Sequence, residues 1–361
     1  MDLYYISCLN EASAKGKQAG SKAVVDIESI LQTLASKKIK ISALNGKRGI
    51  ELHLKHAKIF KKKVSEICGK EEHCLFIQMP VVCHSVFLAC VLKQIRKENI
   101  KVVLLLHDLE FVRGKRSKRW NCVSWLRTFI EEISMFKQAD ALIVHNTKMK
   151  KKLMDYGIKE DKMVELEIFD YLIKSVESIQ VEKCSDGFNR VVIAGNLTPN
   201  KCGYVYDLPA APQFLLYGAN YVQDENSQDN IHYMGSYMPD ELVNVMQGDF
   251  GLVWDGDSAE TCAGPYGQYL RYNNPHKTSL YLACGMPVII WEGAALASFI
   301  IENNVGITVS NLNEIAENLS RISKDEYIVM KKNAEKLSKE LRTGFYFKAA
   351  LNKCIKMIEE K

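Results

Sequence analysis

The sequence predicts an α/β protein made of two doubly wound domains that face a cleft. Strand-like and helix-like segments alternate along the chain, as is typical of parallel sheets covered by helices on both faces. The alternation runs twice, once before residue 165 and again from residue 190. Polar side chains follow the strands in several places, and open parallel sheets bind ligands beyond the carboxyl ends of their strands.

The first series begins with a strand at residues 2–8 and a polar loop at 10–20. Residues 21–35 carry apolar side chains three and four positions apart, which indicates an amphipathic helix. Residues 101–107 form an almost wholly apolar stretch, which predicts a strand inside a parallel sheet. The other predicted elements are a strand at 74–79, a helix ending near 99, a helix at 120–138 and a strand at 141–145.

The second series has four predicted strands, at 190–195, 213–218, 250–254 and 287–291. Predicted helices lie at 240–247, 279–284, 294–303 and 313–319, and two more fill 325–360. The mixed polarity of 165–190 predicts a linker. We therefore expect domains at 1–170 and 185–325, and C-terminal helices at 326–361 that pack back toward the first domain.

Composition is that of a globular protein of 361 residues, with 47% hydrophobic and 25% charged residues. No apolar run approaches the roughly 20 residues that span a bilayer, and the start shows no signal peptide. The 11 cysteines form no CxxC pair, so we expect reduced thiols and a cytoplasmic location.

Positive charge is concentrated in the first half of the chain. Residues 1–175 contain 32 Lys and Arg against 20 Asp and Glu, whereas the remainder contains 16 against 23. Clusters at 61–63, 113–119 and 148–152 either attract an anionic membrane leaflet, lipid diphosphate or nucleic acid, or are solvated surface.

Two acids directly follow the apolar strand of the first domain, in His107-Asp108-Leu109-Glu110. A carboxylate at a strand end can serve as a general base, because burial raises its pKa toward neutrality. The alternative is that Asp108 caps the next turn and Glu110 pairs with Arg113.

Several strand ends of the second domain carry residues suited to a nucleotide. Gly195 and Asn196 follow one strand, with Lys201 nearby for a phosphate, although an ordinary turn explains them equally. Tyr237 either stacks on a base or lies in the core. Asp255 and Asp257 suit sugar hydroxyls, or magnesium, for which no third ligand is evident.

The densest polar cluster is Asn274-Pro-His-Lys277-Thr278-Ser279, at a predicted helix start. Free backbone N–H groups and the helix dipole attract anions there, and a lysine adds charge, so a nucleotide diphosphate is indicated. The alternative is a surface helix with a polar cap. The chain has no P-loop and no GxGxxG after its first strand.

These motifs resemble bacterial GT-B glycosyltransferases, with their two Rossmann-like domains. The resemblance is to the β-1,6-galactofuranosyltransferases of polysaccharide clusters and the glucosyltransferases of streptococcal serine-rich adhesins. It rests on 250–255, 272–289, Leu106-His-Asp-Leu-Glu110 with Arg113, residues 19–23, and 237–242.

The resemblance implies that a UDP-sugar binds in the second domain and that the acceptor binds against the first. On the donor side it implies Gly195, Asn196, Lys201, Tyr237, Asn274, Lys277, Thr278 and Ser279, to which we add Asp255. On the acceptor side we expect Gly20, Ser21 and His107.

The resemblance also implies a mechanism without metal or other cofactor, in which Lys277 stabilises the departing diphosphate. Retaining relatives carry a glutamate inside the helix before the Gly-x-Pro turn, whereas 279–284 contains no acid. An inverting displacement is therefore favoured, with Asp108 as the first candidate for the base and Glu110 as the second. UDP-galactofuranose is the preferred donor, and UDP-glucose and UDP-galactose stay open.

The expected acceptor is a lipid-linked or protein-linked glycan, with peripheral contact to the inner face of the membrane through the basic half. Homo-oligomerisation is left open, and nucleic-acid binding is not expected. The main alternative function is a non-catalytic GT-B-like scaffold in a glycosyltransferase complex. An epimerase is disfavoured because the dinucleotide fingerprint is missing.

Overall fold

The structure is a computed structural model, and it describes residues 1–7, 19–42, 49–67, 71–81, 85–114, 122–173, 188–222 and 228–360. It contains two six-stranded parallel sheets. This confirms the predicted α/β class. The chain divides into two units. The first unit comprises Met1–Lys15, Ile27–Leu166 and Phe347–Lys361, and the second comprises Gly16–Asp26 and Glu167–Tyr346.

The first sheet has the order β2-β1-β3-β4-β5-β6. Its strands are β1 Asp2–Ser7, β2 Lys37–Lys40, β3 His73–Met79, β4 Ile100–Leu106, β5 Ala141–Val144 and β6 Met163–Glu165. The helices up to β6 are α1 Ala19–Thr33, α2 Ile50–Ser65, α3 Leu88–Ile95, α4 Glu110–Arg113, α5 Cys122–Gln138 and α6 Thr147–Met154. The inner strand β4 is almost wholly buried, whereas the edge strand β2 buries only Ile39. This is the burial expected of a sheet covered on both faces.

The second sheet has the order β12-β11-β10-β7-β8-β9. Its strands are β7 Arg190–Ala194, β8 Gln213–Tyr217, β9 Ile231–Gly235, β10 Phe250–Val253, β11 Val288–Trp291 and β12 Gly306–Val309. The helices from β7 onward are α7 Pro199–Cys202, α8 Pro239–Val245, α9 Gly264–Tyr269, α10 His276–Ala283, α11 Ala297–Glu302, α12 Ile315–Ser320, α13 Lys324–Leu341 and α14 Phe345–Glu359. Short 3-10 turns lie at Arg96–Glu98, Glu160–Lys162, Gly203–Tyr206 and Leu312–Glu314.

The last helix, α14, begins at the boundary between the units, and from Phe347 onward it belongs to the first. Phe347 is fully buried and meets Phe76 of β3 edge-on, with the ring centroids 5.3 Å apart. Edge-to-face aromatic pairs of this kind add to the energy of simple area burial. Helix α14 is therefore part of the core of the first unit.

Candidate active site

The acids after β4 share one arginine. An Arg113 guanidinium nitrogen lies 2.5 Å from an Asp108 carboxylate oxygen and 3.7 Å from Glu110. The Asp108 and Glu110 side chains are 29% and 16% exposed, so both are reachable from solvent. Glu110 and Arg113 open and close the short helix α4, which brings them onto the same side of the turn. The structure therefore places both candidate bases of the first unit together, beside the Arg113 guanidinium.

A third carboxylate, Glu132 of α5, lies beneath this turn and was missed by the sequence reasoning. It accepts the backbone N–H groups of Glu110 at 3.0 Å and Phe111 at 3.2 Å. Glu132 is only 4% exposed, and burial raises its pKa to about 8. Its carboxyl group serves as the cap for the start of α4, which fixes Glu110 in place. In the sequence, the feature that could have identified Glu132 is its place directly before the apolar residues Ile133, Met135 and Phe136.

Two histidines support the end of β4. The His107 ring nitrogen Nε2 lies 2.7 Å from the Gln78 side-chain oxygen. His145 is buried, with its Nε2 2.8 Å from the Leu106 carbonyl oxygen. Burial lowers the pKa of His145 to about 4, so a neutral imidazole donates this bond at neutral pH. His107, predicted on the acceptor side, therefore lies directly beside Asp108 in a well-tethered strand end.

The other predicted acceptor residues, Gly20 and Ser21, lie in the first turn of α1, which begins two residues earlier than predicted. They belong to the second unit, and residues 10–18 of the predicted loop lie outside the described residues. Next to them, the buried Lys22 amine donates to Asp26 and to the Leu172 carbonyl, each at 2.6 Å. Burial raises the pKa of Asp26 to about 6, although Lys22 opposes the change.

On the second sheet, β7 and β8 end at a close approach of two glycines. A Cβ at Gly218 would lie 1.8 Å from the Gly195 carbonyl oxygen, so no side chain fits there. Gly195 has a φ of +134°, a conformation that favours glycine, and its N–H donates to the Tyr217 carbonyl at 2.9 Å. The strand ends therefore expose backbone at this edge, where a ligand can come close.

Asn196 and Lys201 are joined to this edge by hydrogen bonds. The Asn196 side-chain oxygen accepts from the Thr198 N–H at 3.2 Å and from the Asn220 amide at 2.9 Å. The Lys201 carbonyl accepts the N–H of Gly256, directly after Asp255, at 2.7 Å. The loop after β7 is thereby tied to the loop after β10.

Tyr237 follows the end of the edge strand β9. Its hydroxyl donates to the Met234 carbonyl at 3.0 Å, and its ring lies against Gly235. The Gly235 carbonyl in turn accepts the Gly218 N–H at 2.9 Å. Tyr237 is half-buried, so part of its ring is available at the same edge as Gly195 and Gly218.

Lys277 is held by an acid and a carbonyl at the end of β10. Its ammonium donates to the Trp254 carbonyl and to the Asp255 carboxylate, each at 2.8 Å. Both side chains are below 10% exposed, at 9% for Lys277 and 8% for Asp255. Burial is the largest single influence and lowers the pKa of Lys277, but Asp255, Cys202 and Tyr281 together outweigh it and raise that pKa overall. Lys277 therefore stays charged, in a fixed position.

The polar residues at the start of α10 are buried rather than solvated. Asn274, Thr278 and Ser279 are 3%, 0% and 1% exposed. The Asn274 amide donates to the Glu167 carbonyl at 2.9 Å, whereas the Thr278 hydroxyl has no partner within the described residues. This burial argues against the alternative of a surface helix with a polar cap.

Helix α10 is fixed along its length, and Tyr281 is a residue that the sequence reasoning missed. The Tyr281 hydroxyl accepts the Ala194 N–H at 2.7 Å, and its ring fills the space left by Gly251 on β10. At the carboxyl end, the Ala283 carbonyl accepts from Ser338 and Arg342, a cation that complements the helix dipole. The amino end is thus held firmly against the sheet edge.

Across the described ranges, no group of three or more His, Cys, Asp or Glu is placed to hold a metal ion. Among the helices that the structure describes, none has the length and apolarity needed to cross a membrane. Of the basic clusters, residues 115–119 lie outside the described residues.

Two six-stranded parallel sheets covered by helices have the architecture of the GT-B fold. Solved structures share this fold. One is the lipopolysaccharide outer core galactosyltransferase WaaB, with a TM-score of 0.62 at 12% identity, covering 98% of this chain and 99% of that one. Another is sucrose-phosphate synthase from Thermosynechococcus elongatus, with a TM-score of 0.60 at 13% identity, covering 100% and 98%.

The chain belongs to the glucosyltransferase 3-like family. Residues 3–168 match the N-terminal domain of that family, and residues 191–354 match its C-terminal domain. Beta-1,6-galactofuranosyltransferase WbbI of Escherichia coli K12 is 36% identical over 259 residues, 71% of this chain and 72% of the relative. Glucosyltransferase 3 of Streptococcus parasanguinis is 26% identical over 314 residues, 84% and 86% of the two chains.

Proposed function

We propose that the protein transfers a hexose from a UDP-sugar to a glycan acceptor, with inversion at the anomeric carbon. The observation that carries this proposal is the Lys277 ammonium, fixed at the start of α10 beside the ends of β7 and β10. A helix start and a cation together form a site for a diphosphate. An ammonium has three N–H donors, and we assign the one not directed to Trp254 or Asp255 to a phosphate oxygen.

The other donor contacts follow from the same sheet edge. In the proposal, backbone at Gly195 and Gly218 admits the nucleotide at close range, and Tyr237 stacks on the base. The buried Thr278 hydroxyl and the N–H groups of α10 contact the phosphates. Asn196 and Lys201 border the site, and Asp255 keeps Lys277 charged.

In the transfer step, Asp108 accepts the proton of the acceptor hydroxyl while that oxygen attacks the anomeric carbon. The bond from the anomeric carbon to the diphosphate oxygen breaks, and UDP leaves with the electron pair. Lys277 stabilises the negative charge that builds on the leaving group. Glu110 is the second candidate for the base, since it contacts the same arginine.

Two observations support inversion and the identity of the sugar. Helix α10 contains no Asp or Glu, so the helix itself supplies no carboxylate to the donor site. The 36% identical relative is named a beta-1,6-galactofuranosyltransferase, and the 26% identical relative a glucosyltransferase. We therefore propose galactofuranose as the preferred sugar, ahead of glucose and galactose. From the resemblance to GT-B glycosyltransferases we also propose a reaction that needs no metal, in which Lys277 stabilises the leaving diphosphate.

A donor panel tests this proposal. The protein is incubated with a glycan acceptor and each of UDP-galactofuranose, UDP-glucose and UDP-galactose, with and without EDTA, and UDP release is measured by a coupled assay. We expect UDP-galactofuranose to give the fastest release and EDTA to leave the rate unchanged. NMR of the product should show the anomeric configuration opposite to that of the donor. Failure to bind UDP or to release it from any donor would refute the proposal.

A further inference from the structure

Helix α5 exposes an apolar face on the first unit. Trp125, Leu126 and Ile130 are 37%, 50% and 55% exposed, and Phe129 between them is half-buried. These four residues, here called the α5 apolar face, lie one helical turn apart in two pairs, so they share one side of the helix. Farther along the same helix, Ile133 and Phe136 continue this side and are buried in the core. Contiguous exposed apolar side chains of this kind mark contact with a partner or a membrane.

The face is rigidly attached to the acids. The Trp125 indole N–H donates to the Phe111 carbonyl at 2.9 Å, and Phe111 directly follows Glu110 in α4. The Trp125 and Phe129 rings stack with centroids 5.3 Å apart, and Phe129 meets the Phe111 ring edge-on, also at 5.3 Å. Glu132 of the same helix holds the Glu110 and Phe111 N–H groups. Whatever covers the α5 apolar face is therefore held close to the acids.

Positive charge borders the face through Tyr156. The Tyr156 ring lies 5.3 Å from the Phe129 ring and 5.0 Å from the Phe111 ring. The Lys152 ammonium lies 5.3 Å from the centre of the Tyr156 ring. Lys152 belongs to α6, an eight-residue helix that also carries Lys148, Lys150 and Lys151. Lys148 and Lys151 are exposed, whereas Lys150 and Lys152 make ion pairs with Glu160 and Asp155.

We propose that the α5 apolar face docks on an anionic lipid surface, and that the acceptor presented to Asp108 and Glu110 is therefore lipid-linked. The second part rests on the proposed function. A tryptophan and two aliphatic side chains suit the boundary between headgroups and acyl chains, and neighbouring lysines suit anionic headgroups. The excess of 32 basic over 20 acidic residues in 1–175 favours this occupant over a second copy of the chain, which would carry the same charge.

Vesicle sedimentation of the full chain tests the docking. Vesicles of phosphatidylglycerol and phosphatidylcholine in equal parts should pellet the protein at low salt, and phosphatidylcholine alone should pellet much less. The double variant Leu126→Glu with Ile130→Glu should reduce binding at least about tenfold, because apolar contact is lost and negative charge is added. The matched control, Ile328→Glu with Val329→Glu on α13, changes residues that are 38% and 46% exposed and should bind like the parent.

Three results would overturn the proposal. The first is that the parent protein stays in the supernatant with anionic vesicles at low salt. The second is that the control variant loses as much vesicle binding as the α5 variant. The third is that the α5 substitutions only convert a dimer to a monomer, as seen by size-exclusion chromatography. The last result would make the face an interface between copies. UDP binding, measured separately by calorimetry, should be the same in the α5 variant and the parent. If the parent protein does not bind UDP at all, the proposed function is refuted, whereas the result on membrane docking still holds.

Discussion

The two sheet edges of this protein hold their charges in opposite ways. At the edge of the second sheet, Lys277 and Asp255 are nearly buried and neutralise each other, and Trp254 supplies a further acceptor. At the edge of the first sheet, Asp108 and Glu110 both lie near Arg113, and both side chains are partly exposed. The first arrangement is fixed before any ligand arrives, whereas the second leaves two acidic side chains accessible to solvent.

This difference matches the two tasks proposed for the edges. A group that stabilises a leaving diphosphate acts best when it is already oriented, because no reorganisation is then needed during the reaction. A base must exchange partners as the acceptor hydroxyl arrives, so a partly exposed carboxylate in a shared ion pair suits it. Glu132 contributes by fixing the backbone of α4 while the Asp108 and Glu110 side chains stay accessible.

The largest expected effect is at the first edge. Asp108→Asn keeps the size of the side chain and removes its charge, so turnover should fall about 10²- to 10⁴-fold, as for loss of a general base. UDP affinity, measured by calorimetry, should stay the same, because this residue is assigned to the acceptor. Glu110→Gln is the matched variant and should lose less activity. An Asp108→Asn protein with normal turnover would contradict the assignment, and a larger loss in Glu110→Gln would transfer the role to Glu110.

Lys277→Ala tests the second edge. UDP affinity should fall at least about tenfold, because hydrogen bonds to charged groups contribute about 1.5–3 kcal/mol. The variant also leaves Asp255 buried without its partner, which should lower the free energy of unfolding by about 3–5 kcal/mol.

The double variant Asp255→Asn with Lys277→Ala separates these two effects. It removes the unpaired charge, so it should regain much of the stability seen in urea denaturation while UDP affinity stays low. Recovery of UDP affinity together with stability would show that Lys277 only maintains the fold.

The sequence predicted the long apolar elements well and the pairing of polar groups poorly. Strands β4 and β7 lie where predicted, because a run of buried aliphatic residues is unambiguous in a parallel sheet. Strands β2, β6, β9 and β12 were missed, since each has only three to five residues and mixed polarity. Helix α10 begins at His276 rather than residue 279, immediately after Pro275.

Lys277 and Asp255 were both identified as candidates, but their ion pair was not. They are 22 residues apart, and the contact depends on how α10 packs on β10 through Tyr281 and Gly251. Glu132 was missed for a similar reason. Its role as a cap for α4 depends on the packing of α5, which periodicity does not specify.

Gly218→Ala tests whether the second edge depends on close backbone. The added methyl group would overlap the Gly195 carbonyl, so β7 and β8 must separate at their ends. We expect the free energy of unfolding to fall by about 1–3 kcal/mol, as for overpacking, and UDP affinity to fall by less than in Lys277→Ala. Gly195→Ala is the comparison. A Cβ added at this position would meet no other atom within 4 Å, so only the φ of +134° opposes the substitution. Unchanged stability in Gly218→Ala would show that the edge is more adaptable than the structure indicates.

The smallest expected effect concerns Glu132 and the pH dependence of stability. Its pKa is about 8 in the folded protein against an ordinary value of 4.5, so the folded state keeps a proton that the unfolded state releases. Stability should therefore fall as pH rises from about 5 to about 8. The raised pKa of Asp26 acts in the same direction, but only up to about pH 6. The lowered pKa of His145, about 4 against 6.5, acts in the opposite direction, and only below pH 6.5.

From about pH 6.5 to 8, the slope of stability against pH is thus assigned to Glu132. Urea denaturation of Glu132→Gln should show a flatter slope in this range. Asp26→Asn is the control and should keep that slope, so equal slopes in Glu132→Gln and the parent would show that the carboxyl under α4 is already ionised at neutral pH.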